Sequence, residues 1–106
     1  MPNTDWLVAA GMEDNGFLYL VNSATLNSES VYPAANSNHQ ADRGRYGACP
    51  GPVTEEFRPH GLHLVPGDNE SHLLLVVRHG ARESIEVFDI DASNGTPSVT
   101  WIGCVV

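Results

Sequence analysis

The second half of the chain constrains the fold most. From 59 to 106 it reads as four apolar runs of strand length, separated by residues that turn a chain. "PHGLHLVPG" (59–67) stops at Pro66-Gly67. "SHLLLVVRHG" (71–80) is apolar through its middle and fit to be covered on both faces. "ESIEVFDIDA" (83–92) sets Ile85, Val87, Phe88 and Ile90 among charges. "SVTWIGCVV" (98–106) follows Asn94-Gly95, a strong hairpin signal. Strands of this length joined by tight turns predict an antiparallel meander. No segment keeps a 3.6-residue apolar period over several turns, so no helix is expected.

The first half repeats the plan in part. "DWLVAAG" (5–11), "GFLYLVNSAT" (16–25) and "ESVYP" (29–33) each read as a strand ended by turn residues. The composition then changes. "AANSNHQADRGRYGACPGPVT" is threaded with Gly, Pro, Asn and Ser, and 34–57 reads as a long connecting loop. A repeat of four short strands is the plan of a propeller blade, and blades bury their faces against neighbours. The expected fold is therefore all-β, built from antiparallel four-stranded meanders amounting to about two blades. A partial first blade falls at 1–33, the connecting loop at 34–57 and a second blade at 58–106. So few blades cannot close a ring, so the chain is expected to be an N-terminal piece of a longer propeller. A free-standing β-domain, whose unpaired strand edges associate with another copy, is a further possibility.

Charge narrows the partners. The 106 residues carry a net charge of −8, and five arginines supply all the fixed positive charge. Nucleic acid and anionic membranes need clustered cations, so neither is expected as a partner. No apolar run approaches the roughly 18 residues of a transmembrane helix, and the start shows no basic region of a signal peptide. Cys49 and Cys104 lack the C-x-x-C spacing of a thiolate zinc site. They are either two buried thiols, the simpler reading, or one disulfide.

Two His-Gly pairs carry the candidate chemistry. "VVRHGAR" has the look of a phosphatase nucleophile at His79, but that chemistry needs a parallel α/β sheet to follow, and the residues after Gly80 are strand-like. "FRPHGLHL" is more informative. Pro59 is expected to hold Arg58 extended, and Gly61 to allow a close backbone approach. His60 then starts one strand and His79 ends its antiparallel partner. The turn joins the other two ends, so the two imidazoles are expected as neighbours at one edge of the meander. Such a pair can relay a proton, one ring taking it from water while the other holds the tautomer or the charge. His39, His63 and His72 read as structural or exposed. Glu13, Asp14 and Asn15 offer oxygen ligands for Ca²⁺ but are too few alone, and a solvated turn is the plainer reading.

"FRPHGLHLVPGDNESHLLLVVRHGARESIEVFDID" resembles the second blade of the paraoxonase/arylesterase group. That group belongs to the gluconolactonase, senescence-marker and luciferin-regenerating superfamily of six-bladed β-propellers. The shared pattern is Pro59-His60-Gly61, then Val76-Val77 leading to His79, then Glu86-Val87-Phe88. "CPGP" and "WIGCVV" are similar to bacterial members. The resemblance implies a Ca²⁺-dependent hydrolase of lactones or aryl esters, with the metal polarising the carbonyl. It implies His60 as the proximal base and His79 as its partner. Arg78 stands where the family has Asn, and a cation there is expected to lower the pKa of His79. The family's first metal-binding Glu-Asp pair would precede Met1, and Glu13-Asp14 does not match it. Metal ligands are thus expected outside this chain, and the chain alone is expected to be inactive. The alternative is a non-catalytic propeller that binds a ligand or a protein.

Overall fold

The computed structural model describes residues 1, 4–11, 16–34, 37–52, 56–80, 82–93 and 95–106. Among them every regular element is a β-strand, as expected. Glu13, Asp14 and Asn15 lie outside the described residues. Among the described residues, no helix is long and apolar enough to cross a membrane.

Strands β1 (Trp6–Gly11), β2 (Phe17–Asn22) and β3 (Ser28–Tyr32) form one antiparallel sheet in chain order. β2 turns Leu18 and Leu20 inward, as period-2 alternation requires. Its turn into β3 is shaped by Asn22, whose Oδ1 accepts the N–H groups of Ala24 and Thr25 at 2.9 and 3.1 Å.

The second sheet contains the meander. Strands β5 (Pro59–Pro66), β6 (Ser71–Arg78), β7 (Ser84–Asp91) and β8 (Ser98–Val105) pair antiparallel in sequence order. The β5–β6 turn places Asn69 and Glu70 at φ of 55° and 61°, and the Ser71 N–H closes it on the Asp68 carbonyl at 3.0 Å. Two left-handed residues in a tight hairpin match the twist of the strands they join.

The segment 34–57 departs from the loop expected of it. Strand β4 (Asn38–His39) lies parallel to β8 and adds a fifth strand, giving the order β4-β8-β7-β6-β5. The chain continues along that edge, with the Gln40 and Asp42 amides donating to the carbonyls of Trp101 and Ile102 at 2.8 and 2.7 Å. Ladder bonds use only the backbone, so a segment of low strand propensity can still cover an open edge.

One core joins the two sheets. Leu74 and Val76 of β6, Phe88 and Ile90 of β7, and Trp101 of β8 meet Leu18, Leu20 and Tyr32 from the first sheet. Tyr32 sits edge-on to Phe88 and Phe57, with ring centroids 4.8 and 5.1 Å away. Each such pair adds about 0.5–1.5 kcal/mol beyond simple burial. The far face of β6 is only partly covered, contrary to expectation: Val77 is 41% exposed and Ile85 beside it 39%. Tyr46 covers another part of that face, over Gly103, where a Cβ would stand 2.5 Å from the ring.

The cysteines correct the free-thiol reading. Cys49 and Cys104 form a disulfide across 55 residues, with Cα atoms 5.2 Å apart. The β4 pairing explains how they meet: it returns the loop along β8, so Cys49 arrives beside the far end of that strand.

Candidate functional site

The site is built by the end of one hairpin. Pro59 opposes Arg78, Gly61 opposes Val77, and the register shifts between Pro59 and Gly61. His60 is therefore the extra residue of a bulge, a device that re-aims a side chain. His79 follows the last residue of β6, and its N–H donates to the Arg58 carbonyl at 3.3 Å. The structure brings the two imidazoles together at the shared edge. His79 Nε2 lies 3.2 Å from His60 Nδ1, with ring centroids 4.9 Å apart and planes inclined at 67°. Beyond His79, the Glu83 carboxylate contacts Nδ1. The side chains of His79 and Glu83 are 45% and 74% exposed, so solvent reaches the pair directly.

Two local expectations are corrected here. Arg58 is not extended before Pro59: its φ is 41°, and Glu56 is at 47°. Both residues pay the strain of the left-handed region. The turn is held from outside by the His79 N–H on the Arg58 carbonyl and by Arg78 Nη2 on the Glu56 carbonyl at 3.2 Å. Tertiary bonds thus override the pre-proline preference. Gly61 makes no close approach either, since a Cβ there would meet only Val77 at 3.9 Å. The glycine that matters is Gly80. Its φ is 110°, and a Cβ would run into the Glu56 carbonyl. It lets the chain turn sharply after His79 while the 56–58 turn packs against it.

Arg78 is fully buried and turns into the core, where burial lowers its pKa and the Glu86 carboxylate opposes that effect. Glu86, only 1% exposed, is the residue that sequence reasoning passed over. It accepts hydrogen bonds from Arg82 Nη2 at 3.1 and 3.2 Å, from Trp101 Nε1 at 2.9 Å and from the Ser84 hydroxyl. Arg82 Nη2 also reaches Cys104 Sγ at 3.2 Å, tying the network to the disulfide. Tyr32 lies near it, and burial, aided by the Glu86 charge, pushes its phenol well above the usual range. Alternation carried a signal: Arg78 and Glu86 occupy inward positions with Val76 and Phe88.

The other histidines fall as expected. His72 is buried, and its Nδ1 accepts the Gly67 N–H at 3.1 Å. His63 is exposed on β5, and His39 packs edge-on to Trp101 at 5.8 Å. Among the described residues, no three His, Cys, Asp or Glu side chains converge as a metal site. The chemistry available at the edge is that of the two imidazoles and Glu83.

No family model, curated protein or solved structure matches the chain.

Proposed function

We propose that His60 and His79 are the water-activating pair of a carboxylic-ester or lactone hydrolase of the paraoxonase/arylesterase type. The observation that carries this reading is the 3.2 Å approach of His79 Nε2 to His60 Nδ1 at a solvent-reached edge. One imidazole takes a proton from water and the other stabilises the charge that results. On this reading β5–β8 is one blade of a propeller and the sheet β1–β3 belongs to another. The Ca²⁺ of that enzyme type would supply the Lewis acid for the carbonyl, and among the described residues no three His, Cys, Asp or Glu side chains converge to hold it. On this reading the open apolar depression lined by Gly61, Leu62, His63, Leu75, Val77 and Ile85 is the face that packs on a neighbouring blade.

The test is hydrolysis of phenyl acetate and δ-valerolactone, with Ca²⁺ and with a chelator, by the protein expressed from its whole reading frame. His60→Gln and His79→Gln should each lower kcat/KM by about 100-fold or more. Hydrolysis undiminished in both variants removes the pair from the mechanism. A folded protein that hydrolyses neither substrate leaves the alternative of a binding module.

A further inference from the structure

We propose that Glu83 is a positioning residue that sets the direction of the histidine relay, holding both rings as Nδ1–H tautomers and leaving His60 Nε2 as the free base. The three groups form a chain of contacts: Glu83 carboxylate to His79 Nδ1, then His79 Nε2 to His60 Nδ1. An ionised carboxylate can only accept, so His79 Nδ1 carries a proton. In the neutral ring His79 Nε2 is then a bare acceptor, and its partner His60 Nδ1 must donate. The one lone pair left over is at His60 Nε2. An exposed histidine without partners does not prefer this arrangement, so it is set by Glu83 and passed along the chain.

The assignment defines two states. In the resting state both rings are neutral. When His60 Nε2 takes a proton from water, the His60 Nδ1 proton moves to His79 Nε2. His60 is then neutral and protonated at Nε2, while the positive charge sits on His79 against the Glu83 carboxylate. The hydroxide left behind bonds to the carbonyl carbon of the ester. As the C–O bond to the leaving alkoxide breaks, that oxygen takes the proton from His60 Nε2, and His79 returns its own to His60 Nδ1. The charged groups around the pair, among the described residues, are Glu83 itself and the 56–58 turn. Glu56 Cβ and Arg58 Cδ both pack on Gly80 beside His79.

The hydrolytic use of the relay rests on the function proposed above; the tautomers do not. They are read by ¹⁵N NMR of the imidazole rings in this chain, which needs no substrate. Above the titration range, both His60 and His79 should show Nδ1 protonated and Nε2 bare. On acidification His79 should become doubly protonated while His60 switches to its Nε2–H form. Glu83→Gln should keep the tautomers, because the amide oxygen still accepts. Glu83→Ala should return His79 to the Nε2–H form. Glu83 is exposed, so both variants are expected to fold, and dispersed spectra elsewhere verify it. An Nε2–H tautomer at His79 with Glu83 present, or no change in Glu83→Ala, overturns the assignment. In a hydrolytically active protein, Glu83→Gln should lower kcat about tenfold with little change in KM, and Glu83→Asp should recover part of it. Absence of any hydrolysis sinks the proposed function and leaves the NMR result to decide this one.

Discussion

Trp101 and Glu86 meet inside the β7–β8 ladder, the indole N–H donating to the carboxylate at 2.9 Å. This bond places a charge where the pattern of β7 calls for a hydrocarbon. Its cost is offset because Arg82 and Ser84 bond the same carboxylate. Glu86→Ala would strip all three donors of their acceptor, leaving the Arg82 charge beside a buried void. The expected loss is about 3–5 kcal/mol, read as a lower urea midpoint. Glu86→Gln keeps one acceptor oxygen and should lose less. Equal losses in the two variants would mean that packing, not the charge, matters at this position.

The Cys49–Cys104 bond closes a loop of 55 residues. Chain-entropy arguments give such a closure about 4 kcal/mol. A reductant, or the double variant Cys49→Ala with Cys104→Ala, should lower the melting temperature by many degrees. The 40–50 amides should then exchange faster than those of the β5–β6 hairpin. Uniform loss of protection would instead mark the bond as essential to the whole fold.

Gly80→Ala should disturb the histidine pair without touching it. The added methyl group meets the Glu56 carbonyl, and the φ of 110° is strained for any other residue. The expected cost is about 1–3 kcal/mol. The His79 ring resonances should shift while those of His72, at the other end of the hairpin, stay in place. Coincident shifts at both rings would show that the sheet moves as a unit.

Asp91 offers a pH test at an exposed site. Bonds from the Ser93 hydroxyl and amide hold its carboxyl below the ordinary 3.8. A carboxylate lowered in the fold stabilises it above the unfolded pKa, and that contribution fades as pH falls through the folded value. Ser93→Ala should raise the Asp91 midpoint, measured by ¹³C carboxyl titration, and flatten the acid limb of the stability curve. An unchanged midpoint would show that the Ser93 amide alone accounts for the shift.

By itself, the sequence determined seven of the eight strands, the all-β class and the arrival of His60 and His79 at one edge. These rest on local signals: alternation with period 2, turn residues at fixed places, and a hairpin that returns the chain beside itself. The turn brought the two histidines to one edge, and the bulge at His60 set the contact. The tertiary structure alone decided the rest. β4 joins β8 through backbone groups that every residue carries, so no side-chain pattern announces it. The disulfide follows from that pairing. Arg58 takes a left-handed turn because bonds from Arg78 and His79 outweigh its preference before proline. The inward positions of Arg78 and Glu86 were visible, but the Glu56 carbonyl that meets Arg78 and the Trp101 indole that meets Glu86 come from other segments. Glu83 sat in plain view as one more surface acid. It gained a role only when the chain turned at Gly80 and set its carboxylate against His79, a contact that composition cannot encode.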